Sequence, residues 1–448
     1  MYKKQASPEV TEPSPSLPLN KVGPTIGTAI ASQIVSTITE TTRLVINTTI
    51  PSVVIPSSNL SNTHFCSENR QESDPVQRAV LTYYPYHQEE YFFPEIRWLY
   101  RSWLEMMLDE PDKWRTDLVI FTYKFSAAFK SLNCINEIRK DVNEPPRCRI
   151  ILYIPITLRN DNNTKNNFEN AFADERTSQN NTSILTIPHV FNKETFNNDR
   201  SISLYRNLRT YGYIDSINAI YEGYSTFQMY DYVLRTDIDI FITRNFSKYV
   251  PDPCILLTGG GGYGTDYNRR KLRRIAKDME LMHLNISGMG STWYGPPYSA
   301  YLIANLTLDS MLYLAINEFS GPERDGKVGT ILWPEWHYGV LLLYGQHLAI
   351  NHLVAQRNLS VRIAHEMLDQ STTNNDTNYM KQNLRLVLHC WHTDVPFSKF
   401  AFKMGHYNKT DPKQFIDKPT AQAYAMRIAI ESRLMSLEQL GAKLKEFE

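Results

Sequence analysis

The residues best placed to do chemistry are Asp237 and Asp239, separated by Ile238. In an extended chain, residues two apart project to the same side, so the two carboxylates face the same space. Like charges at that spacing repel, and each is expensive to strip of water. A divalent cation relieves both costs, and hard oxygen donors suit Mg²⁺ or Mn²⁺. Asp-x-Asp is a short pattern that chance supplies, and a pair of solvated loop aspartates is its plainest reading. The setting argues for more: Tyr232-Val233-Leu234 precede the pair and Ile240-Phe241-Ile242 follow it, as in a buried strand.

Other stretches could touch a ligand. The run Gly259-Gly260-Gly261-Gly262-Tyr263-Gly264 reads as a loop whose backbone can approach a sugar or phosphate closely. Gly260 and Gly261 are its candidate contacts, and with no Lys-Ser/Thr after it the run is not a P-loop. Glu335 lies between Trp333 and Trp336, whose faces suit stacking on sugar rings, and is the candidate base or stabilising carboxylate on an acceptor side. Its rivals are Asp325 and Glu323, in Gly321-Pro322-Glu323-Arg324-Asp325-Gly326. His347 and His352 are off a common helical face and read as packing residues.

These groups need a scaffold. Residues 77–84, 117–122 and 148–156 are strand-like apolar runs, as in a parallel sheet covered on both faces. Residues 91–108 place Ile96, Leu99, Trp103 and Met107 at helical spacing after Pro94. Residues 214–229 read as a helix feeding straight into the strand of the Asp pair. This rhythm predicts an α/β fold with a doubly wound, mostly parallel sheet, which binds ligands at the carboxyl ends of its strands. Downstream, residues 302–319, 338–356 and 421–447 predict helices and hence a helix-rich C-terminal region. The Asn-rich stretch 160–181 predicts a loop.

With 47 basic and 47 acidic side chains among 448 residues, the formal net charge is zero. That removes the electrostatic case for a nucleic-acid partner or an anionic-membrane binder. At 42% hydrophobic and 12% aromatic, most of the chain is expected to fold. Residues 7–63 differ, with nineteen Ser or Thr, seven Pro and no Phe, Tyr or Trp. Such a composition cannot offset its ordering entropy, so residues 1–74 are expected to be a disordered stem or tail before a folded domain at 75–448. No apolar run of about 18 residues stands out, so no membrane span is expected in this chain. The start, Met1-Tyr2-Lys3-Lys4-Gln5, lacks the apolar run of a signal peptide. Eleven Asn-x-Ser/Thr acceptors nevertheless favour a secretory, Golgi-like lumen, with an anchor outside this sequence; a cytoplasmic location stays open. The five cysteines are too scattered for a zinc cluster, and Cys134 and Cys148 are the pair nearest in sequence.

The segment Tyr230-Asp231-Tyr232-Val233-Leu234-Arg235-Thr236-Asp237-Ile238-Asp239-Ile240-Phe241 resembles the metal-binding strand end of nucleotide-sugar glycosyltransferases of the GT-A fold. The resemblance covers about residues 77–407, with the donor-side sheet first, Asp-x-Asp in mid-chain and an acceptor-side region after it. The phrases Gly290-Ser291-Thr292-Trp293-Tyr294-Gly295 and Trp333-Pro334-Glu335-Trp336-His337-Tyr338-Gly339 resemble a little-characterised branch of such proteins. The resemblance implies metal-dependent transfer of a sugar from a nucleoside-diphosphate sugar to a glycan or glycoprotein acceptor. It implies that Asp239 coordinates Mn²⁺ or Mg²⁺, that Asp237 shares the metal or contacts the ribose, and that the metal bridges the donor diphosphate. Many members add a C-terminal histidine, for which His392 in Cys390-Trp391-His392-Thr393-Asp394 is the best match. Arg235, Ser398, Lys399 and Lys403 are then candidate donor contacts. Two rivals remain. A non-catalytic sugar-binding or scaffold protein would keep the same residues. A phosphatase of the haloacid-dehalogenase kind also uses Asp-x-Asp, but needs a further acidic pair downstream that is not evident.

Overall fold

The computed structural model describes residues 74–159, 189–190, 199–324, 335–377, 384–390 and 397–447. All belong to the second of the two units into which the chain divides, Asn62–Glu448. The expected stem, the Asn-rich loop, Asp325, Trp333 and His392 lie outside the described residues.

The strands are β1 (Val76–Tyr84), β2 (Trp114–Thr122), β3 (Cys148–Tyr153), β4 (His189–Val190), β5 (Tyr232–Arg235) and β6 (Ile240–Ile242). They continue with β7 (Ile255–Gly260), β8 (Met289–Gly295), β9 (Ser360–Ile363), β10 (Gln370–Ser371) and β11 (Val387–His389). Eight form one sheet in the order β4-β3-β2-β1-β5-β8-β7-β9, and β10-β11-β6 form a second, small sheet. Within the large sheet every pairing is parallel except the two made by β8. The α/β class and the mostly parallel, doubly wound sheet expected from the apolar runs are what the chain forms. Strands added after β1 run outward one way to β4, and β5 starts again on the other side, so the switch of direction falls between β1 and β5. That is where open α/β sheets leave a crevice.

The sheet is flanked by α1 (Glu89–Met107), α2 (Ile214–Glu222), α3 (Asp266–Asp278), α4 (Pro297–Asn317), α5 (Leu341–Ala355), α6 (Lys399–Lys403), α7 (Ala421–Leu434) and α8 (Leu437–Leu444). Alternation along each strand sends side chains to two separate cores. Val80, Leu118, Ile120, Ile150 and Leu234 pack with Trp98 and Trp103 of α1 and Ile428 of α7. Their neighbours Ala79, Leu81, Val119, Phe121, Ile151 and Val233 pack with Ile217 of α2, Ile303 of α4 and Leu348 of α5. Burial on both faces is why these strands read as unbroken apolar runs.

A polar knot around Asp117 lies within that apolar sheet. Asp117 of β2 is fully buried and accepts from Arg139 at 2.8 and 2.9 Å, from Arg149 at 2.6 Å and from the Tyr230 hydroxyl at 2.6 Å. The Arg147 amide donates to it at 2.8 Å. Tyr230 stands just before β5, so the knot ties the outer strands to the start of the strand that leads to the Asp pair.

Several boundaries depart from expectation. The helix expected over 214–229 forms as two pieces, Ile214–Glu222 and Tyr224–Phe227, parted at Gly223, where a side chain would meet the Phe121 ring. The expected C-terminal helix is two, since Ser436 starts α8 with a capping box to Gln439. Gly259 and Gly260, expected in a loop, are the last residues of β7. Helix α4 is long and apolar enough by length and composition to cross a membrane, contrary to the expectation that no such stretch exists. It buries Ala300, Ile303, Leu308, Met311 and Leu314 in the core, and its apolarity answers to that packing. Cys134 and Cys148 are disulfide-bonded, and Cys390 is free and buried.

Candidate metal and donor site

Strand β5 ends at Arg235, and the Thr236 amide still donates to the Leu81 carbonyl of β1 at 3.0 Å. The chain then leaves the large sheet and enters the small one at Ile240, so Asp237 and Asp239 lie in the crossing and not on a strand. They nonetheless converge. A ligand atom from each, together with one from His389, fits within 4.8 Å. His389 arrives because β11 pairs antiparallel with β6, setting His389 opposite Ile240.

Each carboxylate is held. Asp237 Oδ1 pairs with Arg235 Nη2 at 3.2 Å, and its Oδ2 accepts from the Ser291 hydroxyl at 2.9 Å. Asp239 Oδ1 lies 3.2 Å from His389 Nε2, and Oδ2 accepts from Lys399 Nζ at 2.6 Å. Burial alone would raise the Asp239 pKa, but the charges of His389 and Lys399 pull it well below the carboxylate range. Burial would likewise depress His389 and Lys399, yet the carboxylates beside them hold both above their ordinary values.

Behind His389 stands Asp369, 2% exposed, with Oδ1 3.4 Å from Nδ1. It is fixed by the Thr292 amide at 3.3 Å and by the Thr292 hydroxyl. Its backbone is left-handed, φ 56°, a conformation that aspartate tolerates better than most residues. A Cβ at Gly259 or Gly290 would fall on this carboxylate, and one at Gly260 on the His365 ring. These glycines make room for the protein's own side chains, and the Gly261 amide is spent on the Gly288 carbonyl at 2.8 Å.

The remaining sequence candidates scatter. Arg235 is buried and spans Asp237, the Ser291 carbonyl and the Ser216 hydroxyl, which makes it a positioning group for Asp237. Glu335 is exposed, but Trp336 beside it is buried and stacked between Phe319 at 5.2 Å and Tyr344 at 4.4 Å. The expectation that Trp336 offers a face to a sugar is therefore corrected. Glu323 is half-buried, with its carboxylate on the Ser320 amide at 2.6 Å. His347 packs against His283 as a core residue, as its position on α5 suggested.

Sequence reasoning missed His389, Asp369 and Glu95. His389 had a usable signal: it ends the apolar run Leu386-Val387-Leu388, as the Asp pair ends its own. Glu95, on α1, is buried and ion-paired with Lys403. Burial first, and then the Asp239 charge, push its pKa up to about 7 against the pull of Lys403 and Lys399. Between its ordinary value and about 7 the folded chain keeps a proton that the unfolded chain has lost, so this group's contribution to stability falls as pH rises through that window. Glu95→Gln is expected to gain on wild type in thermal unfolding between pH 5 and pH 8. An equal difference between the two proteins at both pH values would refute this.

Two carboxylates and one imidazole are ligands that divalent metals take, and the histidine is oriented from behind by a carboxylate as metal-bound histidines are. The donor set therefore fits a divalent metal.

No curated protein matches the chain. Among solved structures, the apo form of the bifunctional glycosyltransferase WbbM is similar over 85% of this chain and 53% of its own, at 9% identity and a TM-score of 0.36. The chain thus spans about half the length of WbbM. The apo form of mouse xyloside xylosyltransferase 1 is similar over 72% of this chain and 100% of its own, at 9% identity and a TM-score of 0.30. Residues 72–447 match the family described as a domain of unknown function, DUF7164, and the chain belongs to that family.

Proposed function

We propose that this chain is a metal-dependent glycosyltransferase that takes a nucleoside-diphosphate sugar as donor and a glycan or glycoprotein as acceptor. The observation that carries the reading is the convergence of Asp237, Asp239 and His389 just beyond the carboxyl end of β5, at the switch point of the sheet. In this reading those three side chains hold the metal, which supplies charge stabilisation for the departing diphosphate. Asp369 fixes the ring of His389, Arg235 and Ser291 fix Asp237, and Lys399 offers its ammonium to the phosphates. Glu335, exposed beside the buried Trp336 ahead of α5, and Asp325 are the proposed acceptor-side carboxylates. A secretory lumen is the proposed location, and the Cys134–Cys148 disulfide supports it.

The test is release of nucleoside diphosphate from a panel of nucleotide sugars, with and without Mn²⁺. Turnover of one donor only in the presence of metal is expected. Metal-dependent nucleotide binding without turnover of any donor, with or without candidate acceptors, would favour the sugar-binding rival.

A further inference from the structure

The metal reading meets an obstacle in the geometry. All four carboxylate oxygens of the Asp pair already have protein partners, and at Asp239 both partners are basic groups. Lys399 is not a passing surface lysine. It opens α6 immediately after Ser398, whose hydroxyl caps the helix through the Ala401 amide, and its side chain is 10% exposed, like that of Asp239. A divalent cation arriving alone meets a carboxylate whose charge is already matched, and must displace a largely buried ammonium from it. Lys403, one turn along, is engaged with Glu95 and the Tyr91 ring, so among the described residues the carboxylate next to Lys399 on that side already carries an ammonium.

A diphosphate changes the balance. Its anionic oxygens accept charge-assisted hydrogen bonds from an ammonium as well as a carboxylate does, and leave Asp239 available. We propose that Lys399 is the resident counter-ion of Asp239, and that a diphosphate, by taking the Lys399 ammonium, opens Asp239 to the metal. Metal and diphosphate then enter as a pair, and the chain refuses metal alone. This deepens the metal-and-donor reading above and rests on it.

Simple bridging of the two ligands also gives cooperative binding, so cooperativity in the wild type decides nothing. The deciding measurement is calorimetric titration of wild type and Lys399→Met with Mn²⁺ alone and with the preformed manganese–pyrophosphate complex. Removing the ammonium is expected to strengthen binding of Mn²⁺ alone by at least about tenfold, and to weaken binding of the complex by at least about tenfold. A merely structural role for Lys399 would weaken both. Lys399→Arg keeps the charge and should bind Mn²⁺ alone within about threefold of wild type. A rise in the arginine variant equal to that in the methionine variant would overturn the proposal, as would unchanged or weaker binding of Mn²⁺ alone by Lys399→Met. Should Lys399→Met fail to fold, Lys399→Gln gives the same comparison. Wild-type-like binding of the manganese–pyrophosphate complex by Asp239→Asn would remove the metal reading itself, whereas the other contrary outcomes remove only the counter-ion.

Discussion

Asp239→Asn is expected to abolish metal-dependent nucleotide binding. Asp239 is the more buried aspartate of the Asp pair, and asparagine keeps the shape while removing the charge. The substitution also leaves His389 and Lys399 facing each other with no anion between them. The Lys399 ammonium, left without its counter-charge, repels an incoming metal but still attracts phosphates, so weak nucleotide binding that ignores Mn²⁺ is the expected residue. Thermal shift reads this directly. A ligand at 100 times its dissociation constant adds about 2.7 kcal/mol to a folded protein, and in the variant the metal-dependent part should vanish. A wild-type shift with Mn²⁺ and nucleoside diphosphate would take Asp239 out of the site.

Asp117→Ala is expected to cost the fold about 3–5 kcal/mol, far above the ~1 kcal/mol typical of point substitutions. The carboxylate answers two buried guanidiniums, a buried phenol and a backbone amide. Alanine leaves Arg139 and Arg149, each about 1% exposed in its side chain, without their common counter-charge. Arg149 retains Glu144 at 2.5 Å and Arg139 retains backbone carbonyls, which keeps the cost finite. Urea midpoints of the two proteins measure it. A loss below about 1 kcal/mol would mean that water reaches the vacated space and solvates both guanidiniums.

How much of this was legible in the sequence depended on burial. Strands β1, β2, β3 and β5 could be read because both faces of each are buried, which forces continuous apolar runs. The small sheet could not. Its strands are two or three residues long, below the length at which alternation or composition gives a pattern. Gly259 and Gly260 were read as loop because glycine is flexible, when their role is to admit Asp369 and His365 beside a strand. The Asp pair was found from apolar flanks that turned out to belong to two different sheets, with the pair in the crossing between them. His389 was passed over for His392 because Cys390-Trp391-His392 looks like a motif, whereas the placement of His389 depends on an antiparallel pairing with residues about 150 positions earlier. The apolar run before His389 marks a strand, but nothing local tells which strand it pairs with.

The crossing from β5 to β6 also sets a time at which the site can exist. Asp237 and Asp239 are made in mid-chain, but His389 and Lys399 follow about 150 residues later, and β11 must dock on β6 before either can reach them. At synthesis rates of about 5–20 residues per second, the Asp pair waits roughly 8–30 s with its later partners still unmade. During that interval a growing chain can assemble β1, β2, β3 and β5 but cannot form the Asp237–Asp239–His389 group. On the proposed reading, the metal site is complete only after nearly the whole domain has emerged.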